Sequence, residues 1–324
     1  MCSLIVLLGL LSIIKINKRE NRPINDFLQV KSTMQIQEID LVCEDNYSIK
    51  GKLFFDGCPE KKRIVVINPA LAVPQTYYSS FAEFLAQNGF TVVTYDYRGI
   101  GDSIDPAIHG STILMEHWGR YDFHTVIETV LTELEPKHLY VIGHSAGGQL
   151  LGLSEHCRAI DAMIFVTTPN GYWKHYSPPF KYVLALFWYV VAPVLSYKRS
   201  YFPARMIKLA PDNVPSGVIK QWADWGKSRG YLFSEKHGFD LTPYQSLTVP
   251  ILAYSFTDDI FAPYAAVSAL LSQYPQARIE HKSVQPSDHN RKHIGHFGFF
   301  RPSIRESLWE ETLSWLSSPG RVNH

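Results

Sequence analysis

A serine flanked by glycines is the first candidate for chemistry in this sequence. Residues 143–148 read Gly-His-Ser-Ala-Gly-Gly; they follow a β-rich run at 138–142 and precede a run at 149–153 that can form a helix. The pattern GxSxG between a strand and a helix is typical of a sharp turn that exposes a serine hydroxyl. Glycines are needed there because side chains would clash with close neighbours. The pattern favours Ser145 as a nucleophile over an ordinary glycine-rich turn.

An acid and a histidine follow this serine in the order that a strand–turn–helix nucleophile requires. Two carboxylates, Asp258 and Asp259, come just after the strand-like run 251–256. Only one of them can orient an imidazole. The spacing from the strand end leaves the choice between the two open.

Three histidines, His289, His293 and His296, follow the strand-like run 277–281. Glycine beside a histidine lets the backbone approach the serine closely, and His296 follows Gly295, so we predict His296 as the general base. His289 and His293 are four residues apart, as metal ligands on a helix face would be. Glycine and polar neighbours do not favour a helix there, so we interpret the pair as part of a solvated loop and predict no metal site.

Backbone N–H groups must stabilise the oxyanion that forms when the serine attacks a carbonyl. Ala146 would begin the helix after the nucleophile and supply one donor. The second donor is expected in the turn 68–74 after the strand-like run 63–67, where Ala70 or Leu71 can serve. An ordinary tight loop is the alternative interpretation of this turn.

Short β-rich runs alternate with helix-period segments along most of the chain. The runs 35–42 and 47–55 surround a turn at 44–46, which predicts an antiparallel pair. The strand-like runs that follow are 63–67, 91–95, 138–142, 162–166, 251–256 and 277–281. This alternation predicts an α/β protein with a mostly parallel central sheet flanked by helices.

The run 96–103, which reads Asp-Tyr-Arg-Gly-Ile-Gly-Asp-Ser, adds a further motif to the serine, aspartate and histidine segments. In combination these motifs resemble the α/β-hydrolase superfamily over residues 31–171 and 247–324. More narrowly, the segments 255–259 and 294–301 are similar to those of a bacterial group of predicted hydrolases that has no settled substrate.

The resemblance implies the α/β-hydrolase fold, a Ser-His-Asp triad and no cofactor. The spacing between Asp259 and the following Ala-Pro pair is similar to the acid loop of the superfamily, so we predict Asp259 as the acid and Asp258 as a helix or turn cap. The oxyanion turn of the superfamily often reads His-Gly, whereas this chain has Asn-Pro at 68–69. The sequence has no P-loop, and Gly-Ile-Gly at 99–101 lacks the third glycine of a dinucleotide fingerprint.

About 80 residues separate the strand-like runs 162–166 and 251–256, which is far more than a connecting loop needs. In α/β hydrolases an insertion at this place forms a cap, so we predict a cap or lid at 172–246. Its apolar run 183–195 is short for a membrane span and suits a buried or interfacial helix. A basic run follows it at 198–208. The abundant aromatic residues of the insertion favour an apolar substrate pocket.

The N-terminal residues 2–14 form an apolar run that basic residues follow at once. As a helix the run would span about 20 Å, which is short of a hydrocarbon core of ~30 Å. The positive charge before the run and the cleavage site after it that a secretory signal needs are missing. We predict an apolar segment and linker at 1–30 and a cytoplasmic protein whose N-terminal segment or cap is a candidate for peripheral membrane contact. A mis-assigned start codon is the alternative.

The charge balance and the cysteines exclude other classes of protein. The chain of 324 residues has 31 basic and 30 acidic side chains, so no basic surplus indicates a nucleic-acid partner. Its 4 cysteines include no CxxC pair, which argues against a disulfide framework or a zinc ribbon. We therefore predict a serine hydrolase that cleaves carboxylic ester or thioester bonds of an apolar small molecule. The alternatives are a peptidase or amidase with the same triad and, less favoured because the triad is intact, a non-catalytic membrane-associated binding protein.

Overall fold

An eight-stranded sheet forms the centre of the protein in the computed structural model, which describes residues 34–57, 63–207, 210 and 212–319. The strands are β1 (Met34–Val42), β2 (Ser48–Asp56), β3 (Arg63–Asn68), β4 (Thr91–Tyr95), β5 (His138–His144), β6 (Ala162–Val166), β7 (Tyr201–Phe202), β8 (Val214–Pro215), β9 (Pro250–Phe256) and β10 (Arg278–Val284). The central sheet has the order β1-β2-β4-β3-β5-β6-β9-β10, and β7 pairs with β8. The predicted N-terminal segment at 1–30 lies outside the described residues.

Helices connect the strands. In the described part of the chain they are α1 (Ser79–Gln87), α2 (Met115–His117), α3 (His124–Thr129), α4 (Ala146–Gln149), α5 (Phe180–Leu186), α6 (Ala192–Ser196), α7 (Ser216–Lys227), α8 (Thr242–Ser246), α9 (Tyr264–Leu271) and α10 (Glu310–Ser317). π-helical turns extend several of them, at Trp118–Phe123, Val130–Leu134, Phe187–Val191 and Arg305–Trp309. Among the described residues, no helix has both the length and the apolar character that crossing a bilayer requires.

The pairing of the strands confirms the predicted α/β architecture. β1 and β2 form the predicted antiparallel pair, β2 is also antiparallel to β4, and every other neighbouring pair of the central sheet is parallel. Every residue of β4 and β6 is buried, as expected for strands that are covered on both faces, and β6 consists of apolar residues alone. One face packs against α1 and the C-terminal helix, and the other packs against α3 and the inserted segment.

The parallel strands bring their carboxyl ends to one edge of the sheet. Asn68 at the end of β3 lies beside Gly143 of β5, and Val166 at the end of β6 lies beside Tyr254 of β9. The loops that leave β3, β5 and β9 therefore start close together. These loops carry the predicted oxyanion turn, the serine and the aspartates.

The charged residues of the run 96–103 after β4 make structural contacts in this fold. Arg98 is buried, and its Nε lies 2.6 Å from Asp122 Oδ1 while its Nη1 lies 2.5 Å from Asp45 Oδ2. Asp96 accepts hydrogen bonds from the backbone of Gln75 at 2.6 Å and of Asp102 at 3.0 Å. Arg98 thus holds the turn between β1 and β2 against the sheet, and Asp96 holds the residue that follows the turn 68–74.

Candidate active site

Ser145 lies at the sharp turn between β5 and α4. Its φ of 50° and ψ of −116° are unusual for a residue with a side chain, and its backbone N–H donates to Val166 O at 2.9 Å. A Cβ on Gly143 would lie 2.4 Å from Gly148 Cα, and one on Gly147 would lie 2.3 Å from Asn68 O. The glycines of the motif are therefore required by close packing of the turn against β3 and α4.

The helix after the serine is shorter than the sequence predicts. α4 ends at Gln149, and a separate 3₁₀ turn covers Leu151–Leu153. Two glycines within the four residues of α4 lower its helix propensity. The N-terminus of α4 still points its first backbone N–H groups, which have no partner inside a helix, away from the helix body.

The structure brings the three predicted triad residues into one hydrogen-bonded chain. Ser145 Oγ lies 2.8 Å from His296 Nε2, and His296 Nδ1 lies 2.7 Å from Asp259 Oδ2. An ionised carboxylate can only accept, so Nδ1 carries the hydrogen and Nε2 is left to accept the serine proton. The Asp259 side chain is fully buried and that of His296 is 9% exposed.

The two neighbouring aspartates hold different parts of the site. Asp259 Oδ1 accepts from the backbone of Phe261 at 2.8 Å and of Ala262 at 3.2 Å, which turns Oδ2 towards the histidine. Asp258 accepts from the backbone of Ile294 at 2.9 Å and of Gly295 at 3.0 Å. Asp258 therefore caps the turn that presents His296, whereas Asp259 contacts the imidazole itself.

The other two histidines of this loop do not line the cavity that contains Ser145. His293 Nδ1 is 2.5 Å from Asp258 Oδ2, and the His293 side chain is 68% exposed. His289 ends a short 3₁₀ turn, Pro286–His289. The helix face that would align these two residues as metal ligands is not formed by the described residues around them.

The predicted oxyanion donors lie beside the serine. Ala70 and Leu71 line the same cavity as Ser145 and His296, and Ala146 is the first residue of α4. The Ala70 N–H donates to Tyr78 Oη at 2.8 Å. The N–H of Ala70 is therefore already hydrogen-bonded within the protein, which makes it the less available of the two candidates.

A buried link between the turn 68–74 and the loop that carries His296 was not predicted from the sequence. Tyr78 Oη lies 2.9 Å from His144 Nδ1, and His144 Nε2 lies 2.9 Å from the backbone oxygen of His296. A carbonyl oxygen only accepts, so His144 carries its hydrogen on Nε2, and the Tyr78 hydroxyl must donate to Nδ1. A lone pair of Tyr78 Oη is then free to accept from the Ala70 N–H. Each group in the link thus has one donor facing one acceptor.

Burial keeps His144 neutral. Desolvation, and then the nearby His296, lower the pKa of His144 from 6.5 to about 3. A neutral ring is what the link requires, because Nδ1 must accept. In the sequence, His144 could have been noticed because it lies inside the Gly-His-Ser-Ala-Gly-Gly motif. No sequence pattern pointed to Tyr78.

Ser145 and His296 open into an apolar cavity of about 80 Å³. The core of the protein contributes Leu71, Phe261 and Phe297 to its wall. The segment predicted as a cap contributes Tyr176, Phe180, Leu184, Trp188 and Trp222. Gln149, a polar side chain in the wall, is held by Tyr231 Oη at 2.8 Å and by Pro169 O at 2.6 Å. The cavity therefore combines Ser145 and His296 with an aromatic wall.

Comparison with known proteins agrees with this architecture. The sequence model of the family described as serine aminopeptidase, S33, matches residues 59–212, which is just under half of the chain. A search of curated protein sequences gives no match.

Solved structures similar to this chain include esterases and a lipase. An esterase from Exiguobacterium antarcticum has a TM-score of 0.54 at 17% identity, over 86% of this chain and 99% of that one. A monoacylglycerol lipase from Paleococcus ferrophilus has a TM-score of 0.52 at 17% identity, over 88% and 99%. Est1E from Butyrivibrio proteoclasticus, solved with ferulic acid, has a TM-score of 0.52 at 15% identity, over 86% and 96%. Together with the sheet order, these similarities show that the chain has the α/β-hydrolase fold.

Proposed function

We propose that the protein is a serine esterase that hydrolyses ester or thioester bonds of apolar acyl substrates. The observation that carries the proposal is the chain of hydrogen bonds from Asp259 through His296 to Ser145, which ends in an apolar cavity. A serine hydroxyl that donates to a neutral imidazole is activated for attack on a carbonyl carbon. An imidazole held by a buried carboxylate can accept that proton.

The proposed reaction is acyl transfer in two stages. Ser145 Oγ attacks the carbonyl carbon while His296 Nε2 takes its proton, and Asp259 stabilises the imidazolium. His296 then gives the proton to the leaving alcohol or thiol, which departs and leaves an acyl-serine. Water attacks this ester with His296 again as the base, and the acid is released.

The N–H groups of Ala146 and Leu71 are the proposed oxyanion donors. Ala146 begins α4, and donors at a helix N-terminus favour developing negative charge. Leu71 is the preferred second donor because the Ala70 N–H already donates to Tyr78. Ala70 would then support the turn through Tyr78 rather than contact the oxyanion.

The wall of the cavity favours an acyl chain over a charged group. Its residues are mostly aromatic or aliphatic, and the carboxylate of Asp259 lies behind His296 and is fully buried. An aminopeptidase has to bind a free ammonium group, and among the described wall residues there is no acidic side chain to pair with it. We therefore place peptidase or amidase activity second, although the family description of the sequence match names an aminopeptidase.

Labelling with a fluorophosphonate probe tests the activated serine. The full chain should be labelled, and peptide mass spectrometry should locate the adduct at Ser145. With p-nitrophenyl esters, kcat/KM should rise about fourfold for each methylene added, until the acyl chain fills the cavity, because each buried methylene contributes about 0.8 kcal/mol. Absence of labelling, equal rates for acetate and long esters, or faster cleavage of aminoacyl p-nitroanilides would contradict the proposal.

Two adjacent residues of α5 provide a matched test of the cavity. Leu184 lines the cavity, whereas Val183 is exposed. Leu184→Trp should move the preferred ester to a shorter acyl chain, and Val183→Trp should leave the preference for soluble esters unchanged. An identical effect of the two variants would show that the cavity does not receive the acyl chain.

A further inference from the structure

The helix that covers the cavity has a second apolar face that points to solvent. α5, the π-helical turn Phe187–Val191 and α6 form one continuous helical segment, Phe180–Ser196. Its exposed apolar residues, here called the outer face, are between 48% and 63% exposed: Tyr182, Val183, Leu186, Tyr189, Val190 and Val194. They recur at helical spacing, so they share one side of the segment.

The opposite side of the same segment is also apolar, because it lines the cavity. Leu184 and Trp188 point into the cavity, and Trp188 is 1% exposed. A helix that packs on a core normally carries polar or charged residues on its other side. The outer face has no charged residue, and large apolar and aromatic side chains in one continuous exposed patch indicate a contact surface.

The stretch of sequence that carries the outer face has charges of one sign, and the nearest acidic side chain beside the face, Asp224, is paired with Lys227. Residues 162–211 contain no Asp or Glu and carry six basic side chains: Lys174, Lys181, Lys198, Arg199, Arg205 and Lys208. Since the whole chain has 31 basic and 30 acidic residues, the remainder has 25 basic and 30 acidic ones. Residues 162–211 therefore have an excess of six positive charges on a protein that is otherwise net negative.

These basic residues lie at both ends of the outer face. Lys181 is in its first turn, and Lys198 and Arg199 follow its last turn. Within the described ranges, Lys174, Lys181, Lys198, Arg199 and Arg205 make no ion pair with a carboxylate. Their charges are thus available to an external anion.

We infer that the outer face docks on the surface of a lipid bilayer that contains anionic headgroups. Apolar residues on one side of a helix enter the boundary between headgroups and acyl chains, tyrosines favour that boundary, and basic residues pair with anionic lipids. A second copy of this chain is a poorer occupant, because two such faces would bring their positive charges together. Docking holds whether or not the proposed esterase activity is correct, since it depends on binding alone.

Flotation of the full chain with lipid vesicles tests the inference. Vesicles of phosphatidylcholine with about one-third phosphatidylserine should carry the protein, and pure phosphatidylcholine vesicles should carry at least about tenfold less. Leu186→Glu with Val190→Glu should weaken binding to the anionic vesicles at least about tenfold. Lys198→Gln with Arg199→Gln should weaken binding to the anionic vesicles and leave the weak binding to neutral vesicles unchanged.

The matched control places two glutamates at exposed apolar positions of β1, as Ile36→Glu with Val42→Glu, and should bind vesicles like the wild type. Ile36 is 51% exposed and Val42 is 66% exposed. Thermal melting of each variant verifies folding without reference to catalysis. Vesicle binding that survives Leu186→Glu with Val190→Glu would assign the attachment to another part of the chain, such as the N-terminal apolar run, and overturn the inference. Failure of the wild type to float with anionic vesicles would also overturn the inference. So would a wild-type dimer in gel filtration that Leu186→Glu with Val190→Glu dissociates.

Discussion

Ser145→Ala is expected to lower kcat for ester hydrolysis by about 10⁶-fold, because the acyl-enzyme can no longer form. His296→Ala should cost about as much, and the double variant should be no slower than either single variant. The three residues act as one unit, so removing a second member after the first removes nothing further. Steady-state rates with a p-nitrophenyl ester of the preferred chain length measure all three variants.

Ser287→Ala provides the control for this series. Ser287 is an exposed serine in the loop that leads to His296, and it has no contact with the triad. Its rate should equal that of the wild type. Thermal melting should show that Ser145→Ala is folded. A folded Ser145→Ala protein that keeps more than about one hundredth of the wild-type kcat would show that the serine is not the nucleophile.

Asp259→Asn is expected to lower kcat by about 10⁴-fold while the fold is retained. An amide in place of the carboxylate can donate to His296 Nδ1, which would move the ring hydrogen to Nε2 and leave no acceptor for the serine proton. The loss should be in kcat with little change in KM, because the aspartate contacts the imidazole and not the cavity.

Asp258→Asn is the matched control one residue away. Asp258 accepts from two backbone N–H groups of the histidine loop, and the amide oxygen of asparagine can still accept from them. We expect a decrease in kcat of less than about tenfold and a lower melting temperature. The opposite order, with Asp258→Asn the slower enzyme, would assign the role of triad acid to Asp258.

The serine, its glycines and the acid loop were predictable because each leaves a local signal in the sequence. Ser145 stands in a motif whose glycines are fixed by contacts within the turn and with the adjacent β3. The choice between Asp258 and Asp259 rested on resemblance. The physical reason for the difference is visible only in the structure, where the N–H groups of Phe261 and Ala262 donate to Asp259 and orient its carboxylate towards the histidine.

Features that depend on long-range contacts were not predictable. The Tyr78 hydroxyl meets His144 across 66 positions of the chain, so no local pattern indicates the pair. The same tyrosine distinguishes Ala70 from Leu71, which look alike in the sequence. The insertion posed a different difficulty: its helix is apolar on both sides, so periodicity could not tell the cavity side from the outer face.

The position of His144 has a consequence for the stability of the fold in acid. The pKa of His144 is about 3 in the folded protein, against an ordinary value of 6.5. Between these two pH values the unfolded chain binds a proton at this residue that the folded chain does not, so the free energy of unfolding falls as the pH falls. The decline should be smaller in His144→Gln, which does not titrate, when urea denaturation is compared at about pH 7 and about pH 4. The imidazole that joins Tyr78 to the loop of His296 thus makes the stability of the whole fold sensitive to proton uptake.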